Sequence, residues 1–85
     1  MLKFTLIEET FEKAVYKYFP EGGTVAGIVS FDKVEKVNSI VVLAANDKHK
    51  RYALKLFSRI IEFSDNNFFQ KEGIIVWYWY KFTLI

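Results

Sequence analysis

The pentapeptide Lys-Phe-Thr-Leu-Ile occurs twice in this 85-residue sequence, at residues 3–7 and again at residues 81–85. In both copies polar and apolar side chains alternate, which is typical of a strand that buries one face. A chance recurrence in a chain rich in Lys, Phe and Ile is the alternative explanation. Read as strands, the two copies predict that the chain begins and ends in the same β-sheet.

Residues between Ile7 and Phe19 show the spacing of a helix. One face collects the apolar side chains that recur three or four positions apart, namely Ile7, Phe11, Ala14, Val15 and Tyr18. Pro20 and the two glycines after it end this predicted helix. Thr5 with Glu8 also matches a capping box, which would start the helix earlier and shorten the first strand to a stub.

The rest of the chain alternates between strand and helix signals. Thr24–Phe31 and Val37–Ala45 have the period of strands, and the short polar segment between them predicts a hairpin. A second helix is predicted from a cap at residue 46 or 47 to about Phe63. From Gly73 to the C-terminus, β-branched and aromatic residues predict a long final strand.

The predicted order β-α-β-β-α-β corresponds to the split βαβ, or ferredoxin-like, plan. It is a two-layer α+β fold with a four-stranded antiparallel sheet and two helices on one face. In this plan the first and last strands lie side by side and antiparallel, so Phe4 is expected to face Phe82. The length fits one domain spanning residues 1–85.

Alternation divides the predicted sheet into a face covered by the helices and an open face. The covered face is apolar throughout and is predicted to include Val41, Ile74 and Tyr78. The open face is predicted to carry Trp77 and Trp79, with no layer above them. An exposed apolar patch of this kind marks an interaction site. Partial burial of the tryptophans by neighbouring side chains is the alternative.

We therefore predict a small non-enzymatic protein-binding or regulatory domain that acts through its open sheet face. The commonest partner for such a face is a second copy of the chain, as a homodimer with two-fold symmetry. Tryptophan buries a large area for little loss of entropy, so it is enriched where binding energy concentrates. The predicted interface consists of Trp77, Trp79, Ile28, Ile40, Val42, Lys81 and Thr83.

Nucleic-acid binding through the second predicted helix is the alternative function. Four cations, at spacings of three and four residues, lie along one face of this helix: Lys48, Arg51, Lys55 and Arg59. A basic stripe can follow phosphates. The net charge of +2 is small for a protein that binds nucleic acid strongly, and the stripe also fits the solvated side of an amphipathic helix.

Several classes of site have no support in the sequence. The absence of cysteine excludes disulfides and thiolate metal sites, and His49 is the single histidine, so neither a catalytic site, a metal nor a cofactor is predicted. Small secreted domains usually need disulfides, which favours a cytoplasmic protein. The most apolar run, residues 74–80, is too short to cross a membrane as a helix.

Overall fold

The computed structural model describes residues 1–77, in which one helix packs on one face of a five-stranded antiparallel sheet. In chain order the elements are β1 (Leu2–Glu9), β2 (Lys13–Pro20), β3 (Gly27–Asp32), β4 (Val37–Val42), α1 (Arg51–Asp65) and β5 (Glu72–Ile75). The sheet order is β4-β3-β2-β1-β5, so the first four strands form a meander and α1 carries the chain back to the far edge. α1 is not long and apolar enough to cross a membrane.

The predicted first helix is wrong, because residues 7–19 form the end of β1, a turn and β2. In β2 the side chains of Ala14, Tyr16 and Tyr18 are fully buried on the core side, whereas Val15 and Lys17 alternate with them on the other face, where Val15 is 9% exposed and Lys17 is exposed. This is the period of two that a strand shows, and the aromatic residues suit an extended backbone better than a helix. The helical spacing is coincidental, because Ile7 in β1 and Phe11 in the turn are exposed, whereas Ala14, Val15 and Tyr18 of β2 are buried.

A tight turn joins β1 to β2. The Oγ1 atom of Thr10 accepts hydrogen bonds from the backbone N–H groups of Glu12 and Lys13, both at 3.1 Å. A register shift between Leu6 and Glu8 shows that β1 contains a bulge just before this turn. Threonine can hold such a turn because its hydroxyl replaces a backbone acceptor.

The ferredoxin-like α+β arrangement is also wrong, because the sheet has five strands rather than four and residues 1–77 contain one helix rather than two. The change of residues 7–19 from helix to strand accounts for both differences. The predicted antiparallel pairing of the first and last strands is confirmed for β1 and β5, but Phe4 lies opposite Gly73. Phe82 and the second copy of the pentapeptide lie outside the described residues.

The predicted hairpin and the predicted second helix are both present, with shifted boundaries. β3 and β4 pair antiparallel, and Asp32 Oδ1 accepts hydrogen bonds from the N–H groups of Val34 and Glu35 in the turn between them. These bonds measure 2.9 and 3.0 Å and fix the chain reversal.

The start of α1 is organised by Asp47, which lies in the preceding loop and is buried. Its carboxylate accepts hydrogen bonds from the backbone N–H groups of Tyr52, at 3.1 Å, and Ala53, at 3.0 Å. The first N–H groups of a helix have no partner within the helix, so a carboxylate there satisfies them and interacts favourably with the helix dipole. Lys50, with φ of 61°, turns the chain between Asp47 and the helix.

The core lies between α1 and the covered face of the sheet. Phe4, Tyr16 and Phe63 form a cluster whose ring centroids are 5.6 to 6.0 Å apart. Such edge-on and tilted contacts are the favourable geometries for aromatic pairs. The inner side of α1 contributes residues with a heptad-like spacing, Ala53, Leu56, Ile60 and Phe63.

Two strand glycines make room for core aromatic rings. Gly27 lies opposite Tyr18 and Gly73 lies opposite Phe4 in the sheet. A Cβ atom on Gly27 would lie 2.3 Å from the Tyr18 ring, and one on Gly73 would lie 2.8 Å from the Phe4 ring. Each ring therefore rests directly over a glycine backbone, which is a close approach that only glycine permits.

Candidate binding surfaces

The face of the sheet opposite α1 is the open face of the structure. From β2 it receives Lys17 and Phe19, and the Lys3 ammonium of β1 lies 5.9 Å from the centroid of the Phe19 ring. Ile28 of β3 lies opposite Val42 of β4, and both side chains are on this face. The predicted placement of Ile28 and Val42 on the open face is therefore confirmed.

Ile40 lies on the covered face, so its predicted place on the open face is wrong. It is opposite Val29 and packs against the core. The register between β3 and β4 shifts at this point, with Ile28 opposite Val42, which leaves Val41 as the extra residue of a bulge. Val41, predicted to be covered, is 59% exposed. A bulge changes the alternation by one residue, and a period-two pattern gives no sign of it.

The two faces of β5 are reversed relative to the prediction. Ile75 lies opposite Leu2 and is buried, whereas Ile74 is 57% exposed. Trp77 lies on the α1 side, with its ring centroid 5.5 Å from that of Tyr52. The predicted place of Trp77 on the open face is therefore wrong. Outside the described residues lie the other predicted interface residues, Trp79, Lys81 and Thr83, as well as Tyr78.

Strand β4 forms one edge of the sheet. Within residues 1–77 it pairs with β3 alone, so its other side presents unpaired backbone groups. Its sequence, Val-Asn-Ser-Ile-Val-Val, contains neither a charge nor a proline. Val37, Val41 and Val42 are exposed. Natural proteins usually protect an edge strand with charged residues, proline or a bulge. Of these three features, β4 has the bulge.

A groove runs between α1 and Trp77. It has a volume of about 520 Å³ and is lined by Arg51, Leu54, Lys55, Ser58 and Trp77. The Lys55 ammonium lies 5.3 Å from the centroid of the Trp77 ring, within the range of a cation–π contact. The tertiary structure therefore joins a predicted interface residue to the predicted basic stripe.

The other two cations of the predicted stripe do not line this groove. The Arg59 Nε atom lies 3.7 Å from Glu62 one turn later in α1. Lys48 lies in the loop before α1, where it lines a smaller cleft with His49 and Tyr52. The four cations thus spread over the helix and its preceding loop rather than converging on one ligand position.

The outer side of α1 carries apolar residues that the sequence analysis did not select. Leu54 is 53% exposed and Ile61 is 40% exposed, with Ser58 between them. Their spacing of four and three residues places all three on one face of the helix. That spacing is visible in the sequence. The buried residues on the inner side of α1 have a stronger helical spacing, which by itself accounts for the helix, so the outer residues do not stand out.

A buried polar network lies at the N-terminal end of α1. The Tyr18 hydroxyl donates to Asp47 at 3.1 Å and accepts from the Ala44 N–H at 3.2 Å. Burial raises the pKa of Tyr18, while the bond from Ala44 opposes that rise.

Tyr16 makes a separate hydrogen bond to the segment that follows the C-terminal end of α1. Its hydroxyl donates to the Gln70 carbonyl at 2.6 Å, and burial, then Glu9, raise its pKa well above its usual range. Both phenols are held neutral with hydrogen-bond partners, which is a structural arrangement.

A second, exposed cluster joins the loop after β2 to α1. Glu21 accepts a hydrogen bond from the Tyr52 hydroxyl and another from the Met1 amine at 2.9 Å. The bond from Tyr52, then that from Met1, lowers the pKa of Glu21. The same bond to Glu21 is the main reason that the pKa of Tyr52 rises to about 12.

Exposed aromatic residues lie at the end of the molecule away from Asp47. Phe11 in the β1–β2 turn and Phe68 after α1 are exposed, although Phe11 was predicted to face the core. Phe69, next in the chain, is buried beneath the Lys33 ammonium, which lies 4.5 Å from its ring centroid. Lys33 also bonds Glu9 at 2.9 Å, so this end carries both signs of charge.

Within residues 1–77, no three His, Asp or Glu side chains converge to form a metal site. No family model, curated protein or solved structure matches this chain.

Proposed function

We propose that this protein is a non-enzymatic binding domain that recruits another protein through its exposed sheet, with β4 as the principal contact. One observation carries the proposal: within residues 1–77, β4 is an uncharged edge strand that exposes Val37, Val41 and Val42. Such an edge is a template for an added strand, in which main-chain hydrogen bonds give affinity and side-chain contacts give specificity.

The open face beside β4 supplies side-chain contacts for such a partner. Ile28 and Val42 form an aliphatic cross-strand pair. Ser30 and Ser39 form the next cross-strand pair on the same face of these two strands. An extended segment added to β4 would place alternate side chains beside these residues. The partner favoured by this surface is therefore an extended, β-branched segment of another protein.

The proposal also includes a cytoplasmic location and a binding role without catalysis. The absence of cysteine supports a cytoplasmic location, because secreted domains of this size usually rely on disulfides. The tyrosines with raised pKa values, Tyr16, Tyr18 and Tyr52, each donate a hydrogen bond within the protein, which supports a binding role without catalysis.

Site-specific photo-crosslinking in the native host tests the proposal. A photoreactive residue at Ser39 of β4 is expected to give an adduct with one discrete protein, and Val41→Lys in the same chain is expected to abolish that adduct. The matched control is the photoreactive residue at Ile74, which is exposed on the opposite edge strand. The same adduct from both edges, or none from Ser39, would show that β4 is not the binding surface.

Binding of single-stranded nucleic acid is a second candidate function, favoured by the position of Lys55 beside the Trp77 ring. An aromatic ring can stack on a base while neighbouring cations contact phosphates. Arg51 lines the same groove and adds a second positive charge. The acids Glu62 and Asp65 further along α1 reduce the positive potential of this surface.

Fluorescence anisotropy with labelled single-stranded DNA and RNA, measured over a range of salt concentrations, tests the second candidate. Lys55→Gln is expected to weaken binding and to reduce the salt slope by about 1, since one phosphate contact is lost. Lys17→Gln on the open face is the control and is expected to leave binding unchanged. Absence of binding at low salt would exclude this function.

A further inference from the structure

The outer side of α1 carries exposed apolar residues, which a solvent-facing helix surface does not require. Leu54, Ser58 and Ile61 form a line along the side that faces away from the buried residues of the helix. The outward face of an amphipathic helix is normally polar. Here an aliphatic residue lies on each side of a small central one, and charged residues lie beyond them.

We propose that a second copy of this chain docks on this surface, with the two α1 helices antiparallel and related by a two-fold axis that passes beside Ser58. In this arrangement Leu54 packs against Ile61 of the partner subunit, and the symmetry repeats the contact. The small Ser58 side chain at the crossing point allows the close approach that packed helices require.

Charge complementarity selects a second copy as the occupant. Lys55 and Glu62 lie on the same flank of the outer surface, three residues before and four residues after Ser58. An antiparallel pair therefore places Lys55 beside Glu62 of the partner subunit, and the two-fold axis creates the same pair a second time. Oppositely charged flanking residues are the device by which paired helices choose partner and orientation.

The contacts that these charges make within one chain are compatible with the proposal. Lys55 lies over the Trp77 ring at 5.3 Å, and Glu62 lies 3.7 Å from Arg59. Exposed contacts of this kind contribute little, so both side chains can also reach across an interface. Trp77 lines the groove beside Leu54 and Ser58, so its ring forms a wall beside the docked helix.

This dimer goes beyond the proposed function, because it uses the opposite side of the molecule from the open face. Helix pairing leaves β4 uncovered in both copies. A dimer would therefore present two β4 edges, and two linked binding edges bind a partner with repeated segments more tightly than one.

Charge reversal with mixing is the sharpest test. Lys55→Glu and Glu62→Lys each place like charges together twice, so each variant is expected to raise the dimer dissociation constant about tenfold or more. In an equimolar mixture of the two variants, both pairs become opposite again, and a heterodimer is expected with nearly the wild-type dissociation constant. Sedimentation equilibrium measures these constants, and native mass spectrometry identifies the heterodimer.

The apolar centre is tested by Leu54→Asp, whose exposed position allows the fold to be retained, as checked by circular dichroism. This variant is expected to run as a monomer of 10.0 kDa. Val41→Lys on β4 is the control and is expected to remain dimeric. Each of three results would overturn the proposal: a wild-type protein that is monomeric at every concentration, a dimer broken by Val41→Lys but not by Leu54→Asp, or charge variants that fail to associate when mixed.

Discussion

The two faces of the sheet differ in how much stability each contributes, and β2 shows the difference residue by residue. Tyr16 and Tyr18 point to the covered side, where their rings are fully buried and their hydroxyls are hydrogen-bonded. Lys17 and Phe19 point to the open side and remain wholly or partly exposed. A small domain has little buried surface to spare, so its stability must come from the covered side. The open side can then vary for binding.

The largest expected contrast between the faces is in aromatic truncation. Phe4→Ala is expected to lower the free energy of unfolding by about 3–5 kcal/mol, because it empties the space beside Tyr16 and Phe63. Phe19→Ala on the open face is expected to cost about 1 kcal/mol or less. Urea denaturation measures both changes. Similar losses for the two variants would contradict the assignment of the core to one face.

A buried and an exposed carboxylate give the next contrast. Asp47→Ala is expected to lower the free energy of unfolding by about 2–3 kcal/mol, since it leaves the Tyr18 hydroxyl and two backbone N–H groups without an acceptor. Asp32→Ala removes bonds in an exposed turn, where water can replace them, and is expected to cost about 1 kcal/mol or less. Chemical denaturation compares the two, and equal costs would show that Asp47 does not organise α1.

Glycine substitution is expected to have a smaller effect. Gly27→Ala brings a methyl group into the Tyr18 ring and is expected to destabilise the protein by about 1–2 kcal/mol through overpacking. A methyl group on Gly23 would make an ordinary van der Waals contact with the Pro20 carbonyl oxygen at 3.6 Å, so Gly23→Ala serves as the control. Thermal unfolding monitored by near-ultraviolet circular dichroism follows both stability and the Tyr18 environment. A neutral Gly27→Ala would mean that the ring does not rest on β3.

The smallest expected effect concerns pH and the exposed Glu21. Hydrogen bonds from Tyr52 and Met1 lower its pKa in the folded protein, so its contribution is present above the usual glutamate range and is lost as pH falls through the lowered value. Wild type is expected to lose about 1–2 °C more in melting temperature than Glu21→Gln between about pH 5 and pH 3. Glu12→Gln, in the β1–β2 turn, is the control and should behave as wild type. Parallel pH profiles for wild type and Glu21→Gln would show that Glu21 does not contribute to the pH dependence of the melting temperature.

The parts of the fold that could be predicted were those with one strong local signal. β3, β4 and α1 were predicted because alternation or a helical stripe coincided with turn and capping residues such as Asp32 and Asp47. Residues 7–19 were mispredicted because their apolar spacing fits a helix as well as two strands joined at Thr10. Only pairing with β3 on one side and β1 on the other makes the extended conformation of β2 the stable one.

The candidate site shows the same limit. Ile28 and Val42 were placed correctly, but the bulge at Val41 moved Ile40 to the core. For β5, the register that places Ile75 against Leu2 decided which side faces α1, and that register also carried Trp77 to Lys55. Neither the bulge nor the register leaves a mark in a period-two pattern, because both depend on a neighbouring strand.

By itself, the sequence determined that β3 and β4 are strands and that α1 is an amphipathic helix. These properties follow from the period and type of side chain along a single segment. The tertiary structure alone decided which side of β4 and β5 is buried, that Asp47 reaches the start of α1, and that Trp77 lies on α1 rather than on the open face. Those outcomes depend on contacts between residues distant in the chain, which only the packed sheet and helix bring together.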